Sequence, residues 1–515
     1  MGSIVFGGRT TDAARFAELV SRAASGLASL GVRPGDGVAI MLRNEPTFIE
    51  VSQAAGSLGA YGVPINWHAV ANDVRFILDD SGAKVLVVHA DMLDAIRAGI
   101  PERVKVLVVA TPPEVIQDYG LDAQASAIPP GEIDWASWRD GFAPRGEAPE
   151  MPPMTIFYTS GTTGKPKGVK RPRLSPEQAA AFSGMLARSY GFLGEHGTPR
   201  DITSVVTGPM YHGLPNGHAN FCARSEARLV IMPRFDAEEL LRIIRAYRVT
   251  HLNMVPIMFN RLLRLPKDVR DRYDVSSLRY VAHAAAPISP GIKREMIEWW
   301  GPVINEYYGS TETGNVSFCN SKEWLAHPGT VGKAPPGTEI RIVDAHGHAL
   351  PPGTIGEIVC RIHGAGDMTY VNNDEARRKI ELTPKLLTAG DIGYLDGDGF
   401  LFICDRSKDM IISGGVNIYP AQIEGELQKM PGVADCAVFG IPNEEYGESV
   451  HAVIEPMEGV TLDAAAVKAF LRERIASYMQ PRTIDFARNL PREDSGKLFK
   501  RKLREPFWRD TGRTI

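Results

Sequence analysis

Residues 157–171 read Phe157-Tyr158-Thr159-Ser160-Gly161-Thr162-Thr163-Gly164-Lys165-Pro166-Lys167-Gly168-Val169-Lys170-Arg171. Glycines at 161, 164 and 168 allow a backbone to approach an anion closely and to take positive φ. The hydroxyls of Thr159, Ser160, Thr162 and Thr163 add donors, and Lys165 and Lys167 add charge. Together they describe a cradle for a polyphosphate. The segment is not a Walker A loop, because Lys165 is followed by Pro166 instead of Ser or Thr, and it contains no GxGxxG. A plain Gly/Ser/Thr surface loop is the competing reading, and the rest of the chain has to decide between them.

On both sides of this segment, apolar strand candidates alternate with helical patterns. Upstream, 11–30 places Phe16, Leu19, Val20, Ala23, Leu27 and Leu30 on one helical face, with Gly31 as a stop. Short apolar strands are predicted at 38–42, 84–88 and 104–109, with a helical stretch at 92–98. Downstream, strands are predicted at 228–232, 249–255 and 278–282, with a helix over 237–247 between the first two. Continuous apolar strands of this kind belong in parallel sheets covered by helices. Prolines 112, 113, 129, 130, 144, 149, 152 and 153 suggest an extended connection ahead of the 157–171 loop. From 330 to 405, short glycine-punctuated strands read as a small β unit. Beyond it, a strand at 434–439 and a helix at 464–475 mark a small α+β unit.

The expected fold is therefore α/β. Its large N-terminal domain, 1–406, would hold α/β halves at 1–150 and 151–329 with parallel-rich sheets, and a barrel-like β subdomain at 330–405. A small mobile α+β domain, 407–515, would follow. A length of 515 residues is too great for one core and suits roughly three or four units. The net charge of -4 gives no general attraction to nucleic acid, so any phosphate site must be local. Five cysteines without CxxC spacing argue against a disulfide framework or a zinc site. No apolar run of about 18 residues and no secretory core appear, and a cytoplasmic location is the default expectation.

Four further segments, taken with the opening loop, resemble in order and residue type the blocks of the adenylate-forming superfamily of acyl-CoA synthetases, luciferases and peptide-synthetase adenylation domains. They are Tyr308-Gly309-Ser310-Thr311-Glu312, Gly390-Asp391-Ile392-Gly393-Tyr394, Asp405-Arg406 and Ser495-Gly496-Lys497. The resemblance implies an enzyme that uses ATP, Mg²⁺ and CoA to activate a small carboxylic acid. Adenylation brings a carboxylate to the α-phosphate, so two anions must be neutralised in one site. The 157–171 loop would hold the β- and γ-phosphates. Glu312 would hold Mg²⁺, with Thr159 as the second candidate ligand, since that ion prefers few carboxylates plus phosphate oxygens. Tyr308 would stack on or border the adenine, and Ala285, Ala286, Pro287, Glu306 and Tyr307 join Gly309, Ser310 and Thr311 on the nucleotide side.

Asp391 is expected in a glycine-flanked turn where its carboxylate accepts both ribose hydroxyls, and Arg406 would add a donor to the sugar or the phosphate. A turn-forming Asp and a surface ion pair are the bland alternatives. Lys497 lies in a basic tail that by itself reads as a solvated run. The resemblance implies that it bridges the attacking carboxylate and the α-phosphate, and favours it over Lys500 and Lys502. The resemblance also implies a hinge at Lys408. Rotation there would bring in Ser413, Gly414, Gly415 and Asn417, the paired glycines passing a pantetheine arm and Asn417 bonding AMP or the reacting carbonyl.

The acyl pocket is expected around Tyr211, His212, Leu214, Met254, Val255, His283 and Ala284. His212 would gate entry or contact the carboxylate, unless it is merely structural, and Glu312, His212 and Lys497 are the expected catalytic residues. Ala284 and Tyr307 stand where the family often has glycine, which favours a bulky or medium-sized apolar monocarboxylic acid over acetate. Eighteen residues follow Lys497 without a carrier segment, so a stand-alone acid:CoA ligase is the expectation, with a homodimer compatible. Two rivals stay open: an adenylating enzyme that delivers the acyl group to a carrier protein or to oxygen, and a nucleotide-binding protein without catalysis.

Overall fold

The computed structural model describes residues 2–147, 150–159, 166–193, 201–492 and 498–509. The first sheet has four parallel strands in the order Tyr61–Pro64, Gly37–Met41, Ala83–His89, Lys105–Val109. Val38, Ala39, Ile40 and Met41 are all buried, as expected of a strand covered on both faces. The second sheet has eight strands. Six parallel ones run Ile304–Ser310, Tyr280–His283, His251–Met254, Thr203–Val206, Arg228–Ile231, Ser3–Phe6, and an antiparallel strand closes each edge. Because Ser3–Phe6 pairs with the Arg228–Ile231 strand, a cut at residue 150 does not separate the two sheets.

The helical pattern over 237–247 is realised as the Ala237–Tyr247 helix. The Asp236 carboxylate accepts from the Glu239 amide at 2.8 Å, which satisfies one of the free N–H groups of the first turn. Leu240, Leu241 and Ile244 are buried against the second sheet, and the helix ends at Arg248 in left-handed conformation. The proline-rich connection departs from the extended chain expected of it, since it carries helices Pro113–Tyr119 and Trp135–Asp140. Pro113 sits in the first turn, where its fixed φ and missing N–H are favourable, and Asp134 caps the second helix through Ser137. Trp135 is buried there and donates to Glu50 at 3.1 Å.

Strands Phe157–Thr159 and Lys167–Lys170 form an antiparallel hairpin, extended by Thr369–Tyr370 from much later in the chain. Their register places Thr159 opposite Lys167. Gly168 is not there for positive φ or approach to an anion. It lies in a strand, where an added Cβ would meet the Tyr158 ring at 2.8 Å and Val371 at 3.0 Å. The small β unit has four antiparallel strands in the order Thr338–Val343, Gly356–Ile362, Leu387–Leu395, Leu401–Arg406. The barrel-like closure expected of it is not among its strand pairings.

After Arg406 a separate α+β domain builds its own core from Ile411, Ile423, Leu427, Val438, Val450 and Leu471. All five cysteines are buried and unbridged. Among the described residues, no helix is long and apolar enough to cross a membrane.

Candidate active site

A cavity of about 1550 Å³ opens between the two large sheets, the Phe157–Thr159 hairpin and the turn at Arg406, Ser407 and Lys408. Thr159, Lys167, Glu312, Arg406 and Lys408 line one part of it, and Tyr211, His212, Leu214, Met254, Val255 and Ala284 line another. Residues far apart in the chain, from Val20 to Lys408, thus share a single cavity. Ser160, Gly161, Thr162, Thr163, Gly164, Lys165 and Lys497 lie outside the described residues.

Glu312 occupies the connection between strands Ile304–Ser310 and Gly314–Cys319. The turn is tied by Ser310 and Thr313: the Thr313 amide donates to Ser310 Oγ and the Ser310 amide to Thr313 Oγ1, each at 3.1 Å. Gly309 is required by the close approach of the facing strand, because an added Cβ would lie 2.0 Å from the Gly314 carbonyl oxygen. The Tyr370 hydroxyl donates to Glu312 Oε1 at 3.0 Å, and buried Arg171 donates to the Glu312 carbonyl at 2.7 Å. One carboxylate oriented by a neutral phenol, with the Thr159 hydroxyl on the same cavity wall, is a donor set that suits Mg²⁺ completed by phosphate and water oxygens. Burial, then the carboxylate of Glu312, pushes the Tyr370 phenol well up, so it stays protonated and able to donate.

Asp391 is not in a turn. It lies within strand Leu387–Leu395, directly opposite Arg406 on Leu401–Arg406, and Gly390 before it takes φ +79. Arg406 Nε is 3.3 Å from Asp391 Oδ1, and the Tyr308 hydroxyl donates to Oδ2 at 2.7 Å. Both carboxylate oxygens are thereby held in place, with Arg406 at the cavity wall. Strand alternation separates the two tyrosines of the 304–310 strand. Tyr308 turns toward Asp391 and the small β sheet instead of entering the cavity as a stacking surface. Tyr307 lines the cavity, packed with Ala282, Ala284 and Leu214, and exchanges hydrogen bonds with Asn253 at 3.1 and 3.2 Å.

Two expected site residues are diverted. Glu306 is buried and paired with buried Lys293 at 2.5 Å, while His283 Nε2 lies 3.5 Å from the same carboxylate. None of the three lines the cavity. Burial raises the Glu306 carboxyl and, with Lys293 nearby, drives the His283 imidazole well below its ordinary value, so His283 is neutral. Ala286 and Pro287 are likewise off the cavity wall, whereas Ala285 lines it with φ +72. A left-handed alanine is strained by roughly 1–2 kcal/mol and fits a backbone held for a ligand.

His212 caps the start of helix Gly213–Arg224 in extended conformation, its ring 4.2 Å from that of Tyr211. Lys408 reaches the cavity from the turn after Arg406. Ser413, Gly414, Gly415 and Asn417 sit on the Ile411–Ser413/Val416–Ile418 hairpin, away from the cavity, with Gly414 donating to the Tyr446 carbonyl at 2.8 Å. Asp405 also faces away: its carboxylate accepts from the Ala421 amide at 2.8 Å, and burial pushes it up to about 6.

Residues 3–368 match the AMP-binding enzyme family, and residues 422–497 match the C-terminal domain of AMP-binding enzymes. The chain belongs to this family. As an adenylate-forming enzyme it is 32% identical over 512 residues to a feruloyl-CoA synthase of Amycolatopsis sp, covering 97% of this chain and 95% of that one. It is 33% identical over 516 residues to an indoleacetate–CoA ligase of Aromatoleum aromaticum, covering 99% and 96%. Its fold superposes on ATP-bound MatB from Rhodopseudomonas palustris with a TM-score of 0.83 and 27% identity, covering 99% and 97%.

Tyr370, Arg171 and Asn253 are the residues around this adenylate-forming site that motif reading did not assign. Tyr370 carries no signal of its own, since 58 residues separate it from Glu312 and only pairing with the Lys167–Lys170 strand delivers it.

Proposed function

We propose that the chain is an AMP-forming acid:CoA ligase. The carboxylate of an apolar acid attacks the α-phosphorus of ATP, pyrophosphate leaves, and the CoA thiol then attacks the acyl carbonyl to release AMP. The observation that carries this reading is the joining, in one cavity, of a polar end built on Thr159, Lys167, Glu312 and Arg406 with an apolar end built on Tyr211, Met254, Ala284 and Tyr307. A nucleotide and an acyl group can therefore meet without either leaving the protein, which converts a bimolecular encounter into a positioned one. Asp391 and Arg406 would orient the ribose, and Lys167 with the 160–165 segment would hold the leaving phosphates. Mg²⁺ at Glu312 would neutralise phosphate charge.

Names of relatives support aromatic and related acids: they include a feruloyl-CoA synthase and an indoleacetate–CoA ligase. A panel of acids assayed by ATP-dependent pyrophosphate release, followed by mass spectrometry of the CoA thioester, tests the reading. Aromatic, alicyclic or medium-chain acids should exceed acetate in kcat/KM by at least about 100-fold, as several buried methylene equivalents allow. Acetate as best substrate would overturn the acyl assignment. Pyrophosphate release without CoA thioester would favour a carrier-protein or other acceptor, and no acid-dependent release would favour a binding protein.

The division of labour at Arg406/Ser407, with 1–406 as the ATP-binding part and 407–515 as the mobile part, belongs to the same proposal. The turn at the boundary is bonded through the Ser407, Asp409 and Met410 amides and does not use the Lys408 N–H, so proline at 408 stiffens the chain without removing one of these bonds. Lys408→Pro should slow thioester formation from supplied acyl-AMP by at least about 10-fold while acyl-AMP formation changes less than about 3-fold. An unimpaired second step, read by stopped assay of the thioester, would count against rotation about this turn. A cytoplasmic setting and a homodimer complete the proposal, and light scattering reads the second.

A further inference from the structure

One side-chain amide that is not on the cavity wall holds part of that wall in place. Strands Thr203–Val206 and Arg228–Ile231 pair as far as Val206 and Ile231 and then part. Into the opening comes Asn44, from just beyond strand Gly37–Met41 of the other large sheet. It is buried, and its Nδ2 donates to the Gly208 carbonyl at 2.9 Å and to the Met232 carbonyl at 3.1 Å. Its Oδ1 accepts from the Met210 amide at 2.9 Å. With both amide hydrogens engaged, the side chain cannot turn over, because its oxygen would then face two carbonyls.

The Met210 peptide is held from its other side as well. Its carbonyl accepts at 2.9 Å from Nδ2 of Asn216, a buried residue of helix Gly213–Arg224. Met210 is itself buried and lies in no strand or helix, so its backbone has no ladder to join, and two asparagine side chains take its N–H and its C=O. Gly208, Pro209, Tyr211 and His212, on either side of it, line the cavity, whereas Asn44 and Met210 do not. The wall is a loop pinned at its hidden residue.

Asn44 is a rigid anchor because its neighbours are tied too. The Arg43 amide donates to His89 Nδ1 at 3.3 Å, which leaves the Nε2 hydrogen for the Glu45 carboxylate at 3.1 Å, and the Arg43 guanidinium pairs with Asp91 at 2.8 Å. Trp67, just beyond strand Tyr61–Pro64, meets the Tyr211 ring edge-on with centroids 4.7 Å apart. The ends of two strands of the four-stranded sheet thereby fix where the 208–212 wall stands.

We infer that Asn44 is a positioning residue for acid selection, acting through Gly208 and Met210 to hold Tyr211 and His212 against the acyl group, so that the cavity reads the shape of the acid and not only its apolarity. This rests on the acid-activating reading and deepens it. An apolar wall discriminates only where it cannot retreat, and a shift of about 1 Å in a group that positions substrate costs roughly 100-fold in rate. Among the described residues, no hydrogen bond of the Asn44 side chain goes to the nucleotide end, so ATP binding should be insensitive to it.

The test uses the full-length protein and the best acid of the panel, with analogues that carry one added methyl group at each position in turn. In the unaltered protein, at least one added methyl should lower kcat/KM for pyrophosphate release by about 10-fold or more, the scale on which a fixed apolar wall reads one carbon. In Asn44→Ala that penalty should shrink to within about 3-fold, KM for the best acid should rise at least about 10-fold, and KM for ATP should move less than about 3-fold. Asn44→Ser, a smaller disturbance that keeps a hydroxyl at the site, should fall between. Loss of folded protein alone lowers kcat for every acid in the same proportion and leaves the penalty and both KM values where they were. The assignment is overturned by a penalty that both variants leave unchanged, by a KM for ATP that rises as much as that for the acid, or by an unaltered protein in which no added methyl costs more than about 3-fold. Absence of release with every acid in the unaltered protein would instead overturn the ligase reading on which the assignment depends.

Discussion

Glu312→Gln is expected to lower ATP-dependent pyrophosphate release by about 100- to 1000-fold, the range found when one preorganised electrostatic partner is taken from a developing charge. The substitution is nearly isosteric. Its amide oxygen can still accept from Tyr370, the bond now measured at 3.0 Å, and the backbone contact from Arg171 to the 312 carbonyl does not involve the side chain. What disappears is one negative charge facing the cavity. Steady-state kinetics over a range of Mg²⁺ concentrations should show a raised Mg²⁺ requirement together with the loss of kcat, while the thermal midpoint moves by less than about 2 °C, as for a surface-accessible change outside the core. A loss smaller than about 10-fold, or one matched by a large fall in thermal midpoint, would remove Glu312 from the role of metal and phosphate partner. Tyr370→Phe serves as the graded case: it deletes only the orienting hydrogen bond and should cost about 3- to 10-fold.

The parts of this site that were legible in the sequence are those whose residue types are forced by local chemistry. The strand–helix alternation around 228–283 predicted the parallel sheet because each strand carries apolar residues that are buried on both faces, Leu229, Val230, Leu252, Met254, Val281 and Ala282 among them. The helix over 237–247 was legible to its ends, since an Asp cap and a 3.6-residue apolar period are both written in the chain. Arg406 and Glu312, expected at one site, do line one cavity, whereas Asp391 is held behind its wall by Tyr308 and Arg406.

Side-chain direction was not. A motif names the residues of a strand without saying which face each one serves, and the Ile304–Ser310 strand sends Tyr307 into the cavity while Glu306 and Tyr308 face elsewhere. Glu306 and His283 were drawn into the expected site by position alone. Lys293, a residue with nothing in its local sequence to mark it, captures the Glu306 carboxylate in the interior. The turn expected at Asp391 failed for a related reason: glycines at 390 and 393 signal a turn in isolation, but in a sheet they mark an irregularity, here a register shift between Ile392 and Gly393.

Lys497→Ala should lower acyl-AMP formation by at least about 1000-fold, more than any other single change considered, because an interaction made in the transition state and not in the ground state enters the rate in full. The two partial reactions separate this role from a general defect. Thioester formation from supplied acyl-AMP and CoA should persist within about 3-fold, since transfer of the acyl group requires no charge stabilisation at an α-phosphorus. The neighbouring lysines provide the contrast. Lys500 is already committed inside the C-terminal domain: its amine lies 2.8 Å from a Glu424 carboxylate oxygen, and although burial alone would lower its proton affinity, Glu424, Asp405 and Asp409 together raise it. Lys500→Ala should therefore act on stability, leaving the Glu424 carboxylate half-buried without its cation, and both partial reactions should fall together in proportion to the folded fraction. Lys502 rests over the Phe499 ring at 5.2 Å on helix Lys500–Trp508, an exposed contact whose loss costs little. Selective collapse of the first partial reaction in Lys497→Ala, set against proportional loss in Lys500→Ala, assigns the cation of the basic tail. Equal loss of both steps in Lys497→Ala would instead make Lys497 a structural residue and leave the transition-state charge to cations that line the cavity with Glu312, Arg406 and Lys167 among them.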